Sequence, residues 1–267
     1  MSKGLTFGRF YPSISVLHQL DPRVKLIFTL LFLVELFVFN SLTCYIMSTA
    51  FLAVIIAAAN IPLEFILRGS KFILVVILFT STVNLFIIDG DTLVSIGKLH
   101  ITNKGLNTAI LISVRLMYIY ISSSIMMITT SPNNLTDGMD KLLEPLKKVK
   151  VPVHDLSMIT SITLRFIPVL SDEATKIIKA QTARGVNFRT KNIIKRIRNY
   201  IPIMIPMFIS SFRRSNELAM AMESRGYRGD NGRSKMRPLC YQKNDIIAYF
   251  ILLFFLVAQI VVKTFNL

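Results

Sequence analysis

The sequence predicts an all-α membrane protein with about five transmembrane helices and a cytoplasmic domain built from amphipathic helices. The chain of 267 residues is 52% hydrophobic, with a mean hydropathy of +0.55. Its apolar residues collect in runs of about 20 residues, which is the length that a helix needs to cross a bilayer. Between the fourth and fifth runs lies a long basic segment in which apolar residues recur at helical spacing.

The apolar runs predict the transmembrane helices in chain order. They cover residues 24–39, 42–59, 72–88, 106–128 and 246–262. Only Asn40 and Ser41 separate the first two runs, so we expect a tight helical hairpin at that point.

The distribution of Lys and Arg predicts how these helices are oriented. Residues 131–242 hold 20 Lys and Arg against 9 Asp and Glu, and the whole chain has a net charge of +16. The N-terminus is basic as well, with Lys3, Arg9, Arg23 and Lys25. Because cytoplasmic loops are enriched in Lys and Arg, the N-terminus and the basic segment are predicted to be cytoplasmic. Five spans then place the C-terminus outside.

Three domains follow from this pattern. Residues 1–130 are predicted to hold the first four transmembrane helices, and residues 243–267 the fifth. Residues 131–242 are predicted to form the cytoplasmic domain.

Two stretches of the basic segment share one plan. Residues 157–183 and 203–224 each begin with an apolar half that contains proline and continue into a charged half. They end on the tripeptides Ala183-Arg184-Gly185 and Ser224-Arg225-Gly226. One such end is an ordinary helix stop, since glycine past a helix end adopts the left-handed conformation easily and the helix dipole favours a cation there. Two arginines 41 residues apart on matched helices indicate docking instead, because guanidinium binds carboxylates through paired hydrogen bonds.

No motif of the chain predicts catalysis. The segment from Gly229 to Lys235 resembles a nucleotide-binding loop only loosely, since its spacing and residue order are wrong. His18, His100 and His154 lie on different connections, so they predict neither a catalytic triad nor a metal site. We therefore expect a non-enzymatic chain that holds no cofactor or metal ion.

Two charged residues fall inside the predicted spans, Glu35 in the first and Arg115 in the fourth. Charges at that depth usually face the interior of a helix bundle and often mark function. One residue of each sign favours a structural ion pair between them. A proton- or ion-coupling site is the alternative, and for Glu35 a position near the outer interface is a third.

Four segments have the form of known family motifs. They are LHQLDPRVK (17–25), LRFIP (164–168), AQTARG (180–185) and AMESRGY (221–227). Together they resemble the T component of energy-coupling factor transporters, the CbiQ-like transmembrane family, over nearly the whole chain. The one departure is Ser224, where the family typically has alanine; serine is small, so close helix packing should survive.

The resemblance implies a transmembrane scaffold of an ABC importer in a prokaryotic cell membrane. Two ABC ATPase subunits, identical or different, would hydrolyse ATP. Two long crossed coupling helices would transmit their motion to a membrane-embedded substrate-binding subunit, the S component. The cargo would be a vitamin or a transition-metal ion. The lipid bilayer is a further expected partner, and nucleic acid is not.

The resemblance also assigns site residues on this chain. The implied ATPase-docking residues are Ala183, Arg184, Gly185, Ser224, Arg225 and Gly226, with support from Gln181 and Glu223. The residues expected to face the S component are Phe166, Met204, Met207 and Phe208.

Two other functions are alternatives. A self-contained secondary transporter using Glu35 and Arg115 would need polar groups near the midplane of several spans, and the sequence has few. A membrane-anchored basic nucleic-acid-binding protein would fit the positive charge. However, its basic residues are not interleaved with the aromatic side chains that a stacking surface requires.

Overall fold

A computed structural model describes residues 11, 13, 15–67, 69–88, 92–96, 99–149, 152–188, 190, 192–227, 229 and 239–265. The chain divides into two compact units. The first unit takes its residues from Gly8–Leu142 and Leu239–Leu267, and the second from Leu143–Pro238.

The first unit is a bundle of helices with one short hairpin of strands. Its elements are α1 (Val16–Gln19), α2 (Pro22–Val38), α3 (Leu42–Ala59), α4 (Leu63–Leu67), α5 (Ser70–Ile87), β1 (Thr92–Ile96), β2 (Leu99–Thr102), α6 (Asn103–Thr129), α7 (Pro132–Leu143) and α10 (Lys243–Thr264). The last residue of α7 already belongs to the second unit. The predicted all-α membrane class is confirmed, and the strands β1 and β2 occupy a connection for which no strand was predicted.

Four described helices are long and apolar enough to cross a membrane: α3, α5, α6 and α10. The predicted first span, residues 24–39, corresponds to α2, which has 17 residues. A helix of that length is about 26 Å long, somewhat less than the hydrocarbon core of about 30 Å. The count of five spans therefore stays a prediction.

Aromatic and aliphatic side chains from distant helices form the core of the first unit. One cluster joins α2, α3 and α10 through Phe32, Leu36, Tyr45, Leu52 and Phe255. Beside it, the Phe51 ring stacks on Phe255 with a centroid distance of 4.0 Å. Because lipid tails are as apolar as these side chains, close packing rather than exclusion of water stabilises such contacts in a bilayer.

A polar clasp joins the start of α2 to the start of α10. The Asp245 carboxylate accepts hydrogen bonds from the backbone N–H of Asp21 at 2.8 Å and of Gln242 at 2.7 Å. The Asp21 carboxylate in turn caps α2 and accepts two hydrogen bonds from the Arg23 guanidinium. Arg23 also lies over the Tyr241 ring, 3.9 Å from its centroid. The clasp provides hydrogen-bond donors for both buried carboxylates. It also gives a structural role to Asp21 and Arg23, two of the charged residues in the segment 17–25.

The α-helix that begins at Pro132 does not continue unbroken to Val149. α7 ends at Leu143, and residues Glu144–Val149 form a 3₁₀ helix. Pro145 lies at this change, because proline cannot supply the N–H that an α-helix needs at that position. On α7, Gly138 lies so close to Pro22 that an added Cβ would be 2.9 Å from the Pro22 Cβ, so α7 packs tightly on the start of α2.

The second unit contains two long helices, α8 (Val153–Ala183) and α9 (Ile193–Ser224). α9 begins ten residues before the predicted start at 203, because Pro202 and Pro206 lie inside the helix instead of marking its boundary. The residues that contact each other rise in number along one helix and fall in number along the other. Met158 contacts Tyr227, Glu173 contacts Arg214, and Phe188 contacts Tyr200. The two helices therefore pack antiparallel.

Candidate functional site at two matched helix ends

The α8 helix ends on a complete glycine cap. Gly185 has a φ of +87°, a value that side-chain-bearing residues rarely adopt. Its N–H donates to the carbonyl oxygen of Thr182 at 3.0 Å, and the Val186 N–H donates to the carbonyl oxygen of Gln181 at 3.1 Å. This pair of bonds is the Schellman motif, which satisfies carbonyl groups left free in the last turn.

The α9 helix ends in the same way. Gly226 has a φ of +73°. The Gly226 N–H donates to the Glu223 carbonyl oxygen at 2.9 Å, and the Tyr227 N–H donates to the Met222 carbonyl oxygen at 3.0 Å. The two predicted helix stops therefore have the same backbone structure, and each holds its arginine at the residue directly before the glycine.

Both helix ends are open to solvent. The six predicted docking residues are all exposed: Ala183, Arg184, Gly185, Ser224, Arg225 and Gly226. Within the described part of the chain, neither Arg184 nor Arg225 has an ion-pair partner. An added Cβ at Gly185 or Gly226 would have no atom within 4 Å, so the backbone conformation, not crowding, requires glycine there. The two guanidinium groups are thus free to bind an external carboxylate.

The supporting residues Gln181 and Glu223 act in the structure through their backbone. Gln181 accepts the Val186 hydrogen bond and Glu223 accepts that of Gly226, so both are part of the caps. A docking role of their side chains stays a prediction.

An ion pair lies between the two helices at equivalent positions. The Arg214 guanidinium donates to the Glu173 carboxylate at 3.2 Å. Glu173 stands eleven residues before Arg184, and Arg214 stands eleven residues before Arg225. In an antiparallel pair of related helices, equivalent residues meet only where a local two-fold axis passes between them, as at an isologous interface. The pair Glu173–Arg214 marks that axis.

The charges around this axis are reversed from one helix to the other. α8 carries Asp172 and Glu173, and the equivalent positions of α9 are Arg213 and Arg214. The Ser210 hydroxyl beside the carboxylate, and then the positive charge of Arg214, hold the pKa of Glu173 below its ordinary value. Opposite charges at positions 41 residues apart are the signal in the sequence that could have predicted this contact, which the sequence analysis missed.

The two arginines lie at opposite ends of the antiparallel pair. Eleven residues of α-helix span about 16 Å. Arg184 and Arg225 are therefore about 33 Å apart along the helix direction, on either side of the Glu173–Arg214 contact. Two separate partner surfaces could be reached at once.

α9 presents an exposed apolar stripe over its first two thirds. Two of the predicted S-component-facing residues, Met204 and Phe208, are 62% and 64% exposed. Met207 and Phe166 are half-buried, so they contribute less to this surface. The stripe follows helical spacing and consists of Ile194, Ile197, Ile201, Met204, Phe208 and Phe212.

Glu35 and Arg115 do not form the predicted ion pair. The Glu35 carboxylate is buried and accepts a hydrogen bond from the Ser48 hydroxyl at 2.9 Å. The Arg115 guanidinium donates to the Tyr45 hydroxyl at 3.1 Å and to the Asn40 side-chain oxygen. Each side chain finds its own neutral partners, because the hairpin of α2 and α3 brings polar groups from adjacent helices to both.

Comparisons with known proteins agree with the resemblance drawn from the motifs. Residues 13–237 match the CbiQ family, described as "Cobalt transport protein". The chain is 44% identical over 247 residues to the "Energy-coupling factor transporter transmembrane protein EcfT" of Ruminiclostridium cellulolyticum, with 92% of each chain covered. It is 39% identical over 263 residues to the protein of that name from Bacillus subtilis (strain 168), covering 96% of this chain and 99% of the relative.

Proposed function

The chain belongs to the CbiQ cobalt transport protein family, and on that premise we propose that it is the transmembrane coupling subunit of an energy-coupling factor importer. In this role it hydrolyses nothing itself. It transmits the motion of two ATPase subunits to a separate membrane-embedded S component, which carries a vitamin or a transition-metal ion.

The matched ends of α8 and α9 carry this proposal. Arg184 and Arg225 are exposed, and each precedes a glycine with positive φ. Each guanidinium binds a carboxylate-bearing groove on one ATPase subunit. A rigid cap is important for this task, because a frayed helix end would absorb motion instead of passing it on.

The antiparallel arrangement of α8 and α9 supports mechanical coupling in which the end of each helix contacts one ATPase subunit. The Glu173–Arg214 contact lies midway between the two arginines. When the ATPases move, the distance between Arg184 and Arg225 changes, and α8 and α9 turn about this contact. The exposed stripe of α9, which contains Met204 and Phe208, is the surface on which the S component rests.

The docking role is tested by reversing the two charges. Arg184→Glu and Arg225→Glu, singly and together, are co-expressed with the ATPase subunits, and co-purification and substrate uptake are measured. Each lost charge-assisted contact should weaken ATPase binding by about ten-fold or more, and the double variant should lose uptake.

The control for this experiment is Lys179→Glu, an exposed charge reversal five residues before Arg184. It should leave complex formation unchanged. A double variant that is folded, forms a normal complex and supports normal uptake would show that the arginines do not dock ATPases.

The cytoplasmic location of the second unit is tested separately. Lys195 is exposed near the start of α9, so Lys195→Cys in a Cys240→Ser background offers a labelling site; Cys44 is buried. A membrane-impermeable maleimide should label it in inside-out vesicles and not in intact cells. Labelling in intact cells would contradict the proposed orientation.

A further inference from the structure

A cavity of about 320 Å³ lies within the first unit, among α1, α2, α3, α6 and α10. Four of these helices line it over stretches of eight or nine residues, at 24–32, 51–58, 122–129 and 244–251. Seven helical steps correspond to about 10 Å. The cavity is therefore a narrow slot about 10 Å deep, running along the helix axes.

The slot opens sideways onto the surface of the bundle. Val54 of α3 is 66% exposed, and Ile247 and Ile251 of α10 are 55% and 52% exposed, yet all three line the cavity. α3 and α10 are both long and apolar enough to cross a membrane. The opening between such helices faces the hydrocarbon of the bilayer.

The two ends of the slot differ in charge, although the Ser122 hydroxyl lies toward the aromatic end. Phe28, Phe32 and Phe51 lie toward one end, and Lys25, Thr129 and Asn244 lie toward the other. Lys25 is the single charged side chain among the described residues that line it. A ligand that matches this slot has an apolar chain and one anionic group.

The Lys25 ammonium is buried, at 8% exposure, but no carboxylate neutralises it directly. It donates to the carbonyl oxygens of Thr129 at 3.0 Å and His18 at 3.4 Å. These bonds use two of the three N–H groups of the ammonium. Within the described chain, no acidic oxygen lies within ion-pair distance of it.

The nearest carboxylates are already engaged with other donors. Asp21 accepts hydrogen bonds from the Arg23 guanidinium. Asp245 accepts from two backbone N–H groups. The third N–H of Lys25 is thus available to an anionic group that enters the polar end of the slot.

We propose that this slot binds one acyl chain of an anionic membrane phospholipid, whose phosphate lies at Lys25. Water is a poor occupant of its aromatic part, because apolar cavities stay dry. One leaflet accounts for half of the hydrocarbon core of about 30 Å, so a slot about 10 Å deep holds most of one acyl chain. The proposal depends on the membrane location of the first unit and not on the docking role of Arg184 and Arg225.

Photocrosslinking tests the proposal. The full chain, with the subunits that co-purify with it, is placed in nanodiscs containing phosphatidylglycerol with a diazirine in one acyl chain. Parallel samples contain phosphatidylcholine with the same chain, or the free diazirine fatty acid. Adducts are mapped by mass spectrometry of peptides. Adducts should concentrate at residues 51–58 and 244–251, with phosphatidylglycerol favoured over phosphatidylcholine by about five-fold, the effect expected of one nearby lysine.

Two variants separate this slot from ordinary contact with the bilayer. Ala248→Phe fills the cavity and should remove the adducts, whereas Ala53→Phe, at an exposed α3 residue that does not line it, should not. Lys25→Gln should abolish the preference for phosphatidylglycerol. If Lys25→Gln does not fold, Ala248→Phe decides, because the Ala248 side chain makes no hydrogen bond.

Three outcomes would overturn the proposal. The first is labelling spread evenly over all lipid-facing peptides and unchanged by Ala248→Phe. The second is labelling by the free fatty acid alone, which would identify a different source of the chain. The third is crosslinking of the slot to a protein subunit in place of lipid.

Discussion

Glu173 and Arg214 form an ion pair with a distance of 3.2 Å, and they occupy equivalent positions in two helices of shared plan. Each stands eleven residues before the exposed arginine that ends its helix. The contact therefore lies midway along an antiparallel pair whose two ends present Arg184 and Arg225.

The ion pair can be tested by exchanging its charges. Glu173→Arg places two cations together and should lower uptake, while the double variant Glu173→Arg with Arg214→Glu should restore most of it. The side chains are 22% and 38% exposed. The pair should therefore contribute only about 0.2–1 kcal/mol to the free energy of unfolding. Thermal melting and uptake of the single and double variants measure the two effects, with Lys179→Glu as the control.

The melting data then distinguish a structural role from a coupling role. Uptake that falls in both single variants and recovers in the exchange, with small changes in melting temperature, supports a pivot. An exchange variant as defective as the single variants would mean that the pairing of charges is not what matters.

The glycine caps should respond to substitution according to backbone conformation. Gly185→Ala and Gly226→Ala force a side-chain-bearing residue into positive φ, at a cost of about 1–2 kcal/mol. Hydrogen exchange of the amides at residues 185–186 or 226–227 should accelerate as the cap opens. Asparagine tolerates this conformation better than alanine, so Gly185→Asn should exchange more slowly than Gly185→Ala. Equal exchange in both variants would show that the caps do not depend on the left-handed conformation.

The clasp at the start of α10 should be sensitive to loss of one carboxylate. Asp245 is 1% exposed and accepts two backbone hydrogen bonds. Asp245→Ala leaves the buried Asp21 N–H unpaired, which should cost about 1–3 kcal/mol, whereas the Gln242 N–H is partly exposed and can bind water instead. Asp245→Asn retains one acceptor oxygen and should be intermediate. Thermal unfolding in detergent measures the order, and the exposed neighbour Lys243 provides the control variant Lys243→Gln. An Asp245→Ala protein as stable as wild type would exclude the clasp as a stabilising contact.

Stability should fall in mild acid because of His18. Burial, and to a lesser extent the nearby positive charge of Lys25, lower the pKa of His18 below its ordinary value of 6.5. The unfolded chain then binds more protons than the folded chain as the pH drops below about 6.5. The contribution of the neutral imidazole is present above that pH and is lost as the pH falls through the lowered pKa.

The two hydrogen bonds of the His18 ring define the neutral tautomer that protonation removes. Its Nε2 lies 2.9 Å from the Tyr11 carbonyl oxygen, so it must donate there, and Nδ1 accepts from the Ser15 hydroxyl at 2.7 Å. Melting temperatures between pH 7.5 and pH 5 should decline more steeply in wild type than in His18→Gln. Parallel curves for the two proteins would contradict the assignment.

Glu35 provides a test between a coupling subunit and a self-contained transporter. Its carboxylate accepts one hydrogen bond from Ser48. Glutamine has the same shape and can still accept that bond, so Glu35→Gln should leave uptake close to wild type. Loss of uptake in a folded Glu35→Gln protein would instead favour a proton- or ion-coupling site.

The sequence alone determined the local features of this protein. Long apolar runs predicted α3, α5, α6 and α10, because about 20 apolar residues in succession suit a helix in a bilayer. Glycine after arginine predicted where α8 and α9 end, because a helix stop depends only on neighbouring residues. The motifs at residues 17–25, 164–168, 180–185 and 221–227 were also sufficient to identify the family.

Only the tertiary structure decided which of these elements meet. Asp21 and Asp245 are 224 residues apart in the chain, and no local pattern predicts that the Asp245 carboxylate accepts the Asp21 N–H. The ion pair expected between Glu35 and Arg115 was wrong for the same reason, since charge alone does not specify which polar groups adjacent helices supply. α9 extends through Pro202 and Pro206, although proline inside a helix removes a backbone hydrogen bond and locally favours a boundary. Side-chain partners across helices depend on packing geometry, which periodicity and composition do not contain.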